Sequence, residues 1–200
     1  MIQSIYTILL CLLAVSLSKA QTYEEEVHAY RKSLVKSMVD YTDNPPVQWS
    51  DTLYMDYFPL DSSWILQAEF EPMEKDSFIQ MPTTAGTEKV FKVLGRASFT
   101  VRDTMAKLTV FQPLRGSLLP YYFIPFKDGS SGLSTYGGGR YLEGPVPSED
   151  ARTIRLDFNK AYNPWCAFND GYYCPLPPAS NSIAPSIQAG EKNFRKHGEH

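Results

Sequence analysis

Early in the chain the apolar positions recur at helical spacing; from Leu53 onward they recur at every second residue. Tyr23, Val27, Tyr30, Leu34 and Met38 stand three or four positions apart and form one stripe, the pattern of an amphipathic helix. Thr22 and Glu25 have the spacing of a capping box, and Glu24, Glu25 and Glu26 fill the first turn, where the helix dipole favours anions. Asp43-Asn44-Pro45-Pro46 closes the segment, because proline cannot continue a helix. The pattern predicts a helix starting at Thr22 and lying across a sheet.

In Trp64–Phe70 the apolar Trp64, Leu66, Ala68 and Phe70 share one face, and Gln67 and Glu69 take the other. Short segments of the same kind follow at Phe78–Met81, Lys89–Leu94, Ala97–Val101, Lys107–Gln112, Tyr121–Phe126 and Thr153–Phe158. Glu71-Pro72, Gly86, Gly95, Asp103, Gly116 and Asp128-Gly129 read as the turns between them. The predicted fold is mainly β: an antiparallel sandwich or barrel-like single domain with an N-terminal amphipathic helix.

Ahead of the helix, Ile5 to Leu17 is almost continuously apolar. It is too short for a membrane span and has the length of a signal-peptide core. Ser18-Lys19-Ala20 offers small residues for a cut before Gln21, although the leading MIQS holds no Lys or Arg. An uncleaved N-terminal anchor is the alternative. The reading is a signal peptide over 1–20 and an exported protein, periplasmic or secreted. A single β-rich domain follows over 21–200, with a loop-rich segment at 159–200. No transmembrane segment is expected after signal removal. The formal net charge of −3, with no basic cluster, argues against nucleic acid as a partner.

Candidate chemistry concentrates between Asp157 and Pro178, DFNKAYNPWCAFNDGYYCPLPP. Most of these side chains need a specific polar partner when buried, so the run is either a site or a braced loop. After loss of Cys11 with the signal, Cys166 and Cys174 are the remaining cysteines, with the turn residues Asn169-Asp170-Gly171 between them. In an oxidising compartment two such cysteines pair, which would stabilise the fold by roughly 2.5 kcal/mol. A thiol function, a metal site or two unpaired thiols are the other readings. The spacing matches no zinc pattern, so no metal site is assigned, and no cofactor is expected. The histidines are only His28, His197 and His200, which leaves His-based nucleophile activation or haem ligation little to work with.

Asp128-Gly-Ser-Ser-Gly-Leu-Ser-Thr-Tyr-Gly-Gly-Gly-Arg140 has glycines that let backbone amides turn toward an anion, with Arg140 adding a fork of donors. It lacks the Lys-Ser/Thr ending of a phosphate loop, and Tyr136 stands where a nucleophile elbow needs glycine. The plainer reading is a glycine turn whose Arg140 pairs with Asp157 or caps a carbonyl. Asp157 alternates away from Ile154, Leu156 and Phe158 and leads into Asn159, Tyr162 and Asn163. A carboxylate beside amides and phenols suits a general base, a sugar-hydroxyl acceptor or a calcium ligand, and equally a brace for the following loop. Glu191 is a further acid that spacing alone does not place.

Thr135–Leu142, Asp157-Phe158-Asn159, Tyr162-Asn163-Pro164, Cys166-Ala167-Phe168, Cys174–Pro178 and Ala189-Gly190-Glu191, in that order, resemble a prokaryotic family of unknown function, the domain numbered 1684. Trp165, where a second proline is expected, and Ser182-Ile183, where Arg-Leu is expected, depart from its pattern. The resemblance implies no activity; it implies that the segments around Arg140, Asp157, Asn159, Asn163 and the cysteines belong together. The leading expectation is a module binding a small polar ligand, an anion or a saccharide. Its candidate residues are Tyr136, Gly138, Gly139, Arg140, Asp157, Asn159, Tyr162 and Asn163, with Tyr162 or Trp165 as a stacking wall. The alternatives are a hydrolase-type enzyme using Asp157 and Arg140, or a structural protein of the cell envelope.

Overall fold

The computed structural model describes residues 22–114 and 119–195. The signal peptide read over 1–20 lies outside the described residues, as do Gly116, His197 and His200. The chain divides into two compact units, one ending at Ser37 and the other starting at Met38. Among the described residues a helix, α1, covers 22–39, with Thr22, expected as a cap, itself helical. Along α1 the hydroxyls of Ser33 and Ser37 donate to the carbonyls of Tyr30 and Leu34 at 2.7 Å. His28 pairs with Glu24 one turn away, at 3.4 Å, with both side chains mostly in water. Among the described residues no helix is long and apolar enough to cross a membrane.

The second unit is built on a 6-stranded sheet of β1 (Ile65–Pro82), β2 (Glu88–Val101), β3 (Thr104–Pro113), β4 (Tyr121–Phe126), β5 (Arg140–Pro145) and β6 (Thr153–Asp157). The order across it is β5-β4-β3-β2-β1-β6, with every neighbouring pair antiparallel. The chain leaving β6 returns to the far edge: Tyr141 on β5 and Tyr162 exchange backbone hydrogen bonds of 2.8 and 3.0 Å. The sheet is thereby a nearly closed barrel, so the barrel-like alternative is the one realised.

The interior is filled by Ala68 and Phe70 of β1, Ala97 and Phe99 of β2, Leu108 and Val110 of β3, Ile124 and Phe126 of β4, Leu142 of β5 and Leu156 of β6. A second apolar cluster lies on the opposite face of the sheet: Met81, Phe91, Phe111, Phe123 and Tyr141, flanked by Ile79, Val93, Tyr121 and Tyr162.

The sequence pattern breaks Phe78–Met81 from Trp64–Phe70 at Glu71-Pro72, and Lys89–Leu94 from Ala97–Val101 at Gly95. These are instead two long continuous strands, each carrying an irregularity. The β1–β2 register jumps between Pro72 and Ser77, and the β2–β3 register between Val93 and Gly95. An extra residue in a strand with period two moves every later side chain to the other face. Hence Phe91 and Val93 face the second cluster while Ala97 and Phe99, at the same parity, face the interior. Gly95 is required at the jump, since a Cβ there would stand 2.4 Å from the Glu71 carbonyl oxygen and 2.7 Å from the Phe70 ring.

Strand β5 is an element the sequence pattern does not predict. β3 and β4 share only the pair Phe111–Phe123, and the side chain of Asn181 fills the gap between them. Its amide accepts from Thr109 N at 2.7 Å and donates to the Thr109 and Pro125 carbonyls at 2.9 Å. The segment after β6 is loop-rich as expected, with short 3-10 turns at Phe158–Lys160, Trp165–Ala167 and Ala179–Asn181.

Candidate functional site

Arg140 heads β5 on the same side as Leu142, and is fully buried. Its Nη2 donates to Asp128 Oδ2 at 2.7 Å and to the Ile187 carbonyl at 2.9 Å. Its Nη1 donates to the carbonyls of Glu191, at 3.2 Å, and Ala189. The guanidinium carbon lies 5.4 Å from the Phe126 ring centre. Burial lowers the Arg140 pKa, while the charges of Asp128 and Glu191 oppose the shift. The ion pair is thus with Asp128, not Asp157, and the guanidinium clamps the C-terminal tail.

The glycines ahead of it serve the same turn. Gly139 has φ +94, and a Cβ there would lie 2.6 Å from the Phe126 carbonyl oxygen. Its amide closes back on the Tyr136 carbonyl at 3.0 Å, and Gly138 packs under the Tyr136 ring. The Tyr136 hydroxyl stands 3.4 Å from the Cys166 carbonyl oxygen.

Asp157, Asn159 and Asn163 are buried as well. Asp157 accepts from Arg155 at 3.1 Å and, more weakly, from Asn159 at 3.4 Å. Asn159 exchanges two bonds with the backbone of Asp61, at 3.1 and 2.9 Å. Asn163 donates its backbone N–H to Glu191 Oε2 at 2.9 Å and its side-chain amide to the Lys192 carbonyl at 2.8 Å. Glu191, which spacing could not place, therefore joins Asn163, while its backbone carbonyl accepts from Arg140. Arg140 and Asn163 meet through Glu191 in a hydrogen-bonded brace of carbonyls and carboxylates, whereas Asp157 and Asn159 bond to Arg155 and to the backbone of Asp61.

A cavity of about 930 Å³ opens elsewhere, over the second apolar cluster. Its floor is Phe91 of β2, Tyr121 and Phe123 of β4, and Tyr141 and Glu143 of β5. Tyr162, Trp165, Tyr172 and Cys174 from the post-β6 segment form one wall, with Tyr41 beside them. Of the eight ligand-binding candidates, Tyr162 lines it; Tyr136, Gly138, Gly139, Arg140, Asp157, Asn159 and Asn163 are not among its lining residues.

The wall is held by the cysteine loop. Pro164 sets the extended entry to the 3-10 turn that carries Trp165. The sulfurs of Cys166 and Cys174 lie at disulfide distance, 2.31 Å, with their Cα atoms 6.4 Å apart. Thr84, in the β1–β2 hairpin loop, donates to the Tyr172 carbonyl at 2.7 Å and accepts from the Cys174 N–H at 3.1 Å. Trp165 meets Tyr41 and Tyr172 edge to face, with ring centres 5.0 and 5.3 Å away.

Glu143 is the one acid on the cavity floor, half-buried and directly opposite Phe123 in the β4–β5 ladder. Its Oε1 accepts from the Tyr162 hydroxyl at 2.5 Å. Burial raises the Glu143 pKa, and the bond from Tyr162 partly offsets this. Burial first, then the Glu143 charge, pushes the Tyr121 phenol up to about 12. Tyr141 is raised too, and its hydroxyl donates to the Pro175 carbonyl at 2.7 Å. Glu88 and Lys89 line the β2 end and are exposed. A carboxylate with a shifted pKa inside an aromatic cleft is the arrangement expected of a binding or catalytic site.

Sequence reasoning missed Glu143, Tyr141, Tyr121 and Phe123. One signal was present. Read as a strand, Arg140–Pro145 puts Arg140 with Leu142 on the apolar side and Tyr141 with Glu143 on the other.

A model of the family described as "Protein of unknown function (DUF1684)" matches residues 53–192. Among solved structures, the chain is similar to the solution NMR structure of an uncharacterised protein of Haloarcula marismortui. The two are 26% identical, with a TM-score of 0.68 over 92% of this chain and 99% of that one. No curated protein matches.

Proposed function

The chain belongs to the DUF1684 family of proteins of unknown function, and we propose that it is a module binding a small organic ligand in the aromatic cavity above β2, β4 and β5. The observation that carries this reading is a roughly 930 Å³ space walled by rings, with a half-buried carboxylate on its floor, Glu143, oriented by Tyr162. Its size and lining suit a small molecule that offers a ring or apolar body to the aromatics and a hydrogen-bond donor to Glu143. Such a lining supports a saccharide-like or other donor-bearing ligand over an anion, because the donors of Arg140 are spent on Asp128 and on the carbonyls of Ile187, Ala189 and Glu191. The polar residues around Asp157 and Arg140 act as scaffold.

The same reading holds the mature protein to be exported. It is supported by the apolar run Ile5–Leu17 ahead of Ser18-Lys19-Ala20 and by the cysteine pair at disulfide distance.

The test is a ligand screen by protein-observed NMR with glycosides, aryl alcohols and amines at millimolar concentration. Hits should perturb the Trp165 indole and vanish in Trp165→Ala, which keeps its thermal stability. If no compound perturbs Trp165 while the protein is folded, the binding reading fails and a structural role of the cysteine loop takes its place.

A further inference from the structure

Among the described residues no cation is bonded to the carboxylate on the cavity floor. Among the described residues Glu143 forms no ion pair; its recorded polar contact is the Tyr162 hydroxyl at 2.5 Å. Among the described residues the titratable groups beside it are phenols: Tyr121 on the adjoining strand, Tyr141 on its own, and Tyr162 from the post-β6 segment. None carries charge at neutral pH. Lys89 and Glu88, of opposite sign, sit exposed at the β2 end, where water screens both. An ionised carboxylate taken from water without a counter-charge is costly, and a ligand that supplies one removes that cost.

The walls add a second preference. Phe123 stands across from Glu143 in the ladder, and Tyr141 meets Phe123 and Tyr162 edge to face at 4.7 and 5.7 Å. Trp165 meets Tyr41 and Tyr172 in the same way. These rings line one space, and the electron-rich face of a ring open to it attracts a cation.

Resting on the cavity reading above, we propose that the occupant is a compact organic cation, an amine or quaternary ammonium, its charge against Glu143 and its body among the rings. Glu143 is the charge-selecting residue, and Tyr162 is the residue that positions it.

Paired titrations by NMR on the purified protein test this. Choline is set against its neutral isostere 3,3-dimethylbutan-1-ol, and benzylamine against benzyl alcohol, with methyl glucoside as a saccharide probe. In at least one pair the cation should bind about tenfold or more tightly than its isostere. Glu143→Gln should lower that ratio severalfold, leaving only the smaller preference the rings supply. Should that variant fold poorly, the wild type supplies the same information: choline keeps its charge at every pH, so its advantage must shrink as acid protonates Glu143. Equal binding within both pairs, or tighter binding of the glucoside, overturns the cation and leaves the cavity reading standing. Binding of no probe overturns both.

Discussion

Replacing Arg140 by methionine tests whether the most polar part of this molecule is scaffold. Arg140 has no exposed surface, and its side chain joins Asp128 to the carbonyls of Ile187, Ala189 and Glu191. Methionine roughly fills the volume but leaves Asp128 Oδ2 as a buried charge without its cation. Breaking a buried pair from one side costs about 3–5 kcal/mol. That is a large part of a typical stability of roughly 5–15 kcal/mol. For a chain of this size it lowers Tm by roughly 10 °C. Asp128 Oδ1 keeps its bonds from the Ser130 N–H and hydroxyl, at 2.6 and 2.5 Å, so the loss stops short of unfolding. Urea denaturation followed by tryptophan fluorescence gives the value directly. The double variant Asp128→Leu/Arg140→Met should regain much of it, since replacing both partners by apolar groups removes the stranded charge. A loss below about 1 kcal/mol in Arg140→Met, or lost ligand binding at unchanged stability, would refute the scaffold assignment.

Further outcomes follow from the cavity and its wall. Burial holds the Glu143 pKa above its ordinary 4.5, so the folded state binds this proton more tightly than the unfolded chain does. The stability from that group is present below 4.5 and is lost as pH rises through the folded value. Glu143→Gln should therefore match the wild type in acid and become the more stable protein toward neutrality; parallel stability–pH curves would refute this. Cys174→Ser should cost about 2.5 kcal/mol without reductant and nothing in its presence; no difference in either condition would mean the thiols do not pair. Gly95→Ala should cost about 1–3 kcal/mol, because its methyl group meets the Glu71 carbonyl at 2.4 Å; an unchanged denaturation midpoint would show that the strand irregularity relaxes freely.

Several particulars were legible in the chain. The period-two segments, the helix from Thr22 and the density of polar residues after Asp157 follow from local side-chain spacing, and the structure carries all of them. Glu71-Pro72 and Gly95 misled because a turn and a β-bulge use the same residues. Whether the chain reverses or only slips is decided by the partner strand, here through the pairs Pro72–Gly95 and Ser77–Val93. Arg140 was only partly legible: the plainer reading, an arginine that caps carbonyls, is the one seen, but its ionic partner is Asp128 and not Asp157.

By itself, then, the sequence determined the class of the fold and the segments whose polar groups must find partners, because periodicity and composition are local properties, and its ordered motifs carried the resemblance to the family. It did not determine which of those groups line the cavity. Tyr41, Phe91, Glu143, Tyr162 and Trp165 come together only when antiparallel pairing, two register slips and the pinned cysteine loop bring remote segments to one face of the sheet. The same closure turns Arg140 inward to Asp128. The half-buried carboxylate of Glu143 among rings is a tertiary fact, since its electrostatic character comes from neighbours distant in sequence that the chain order does not place beside it.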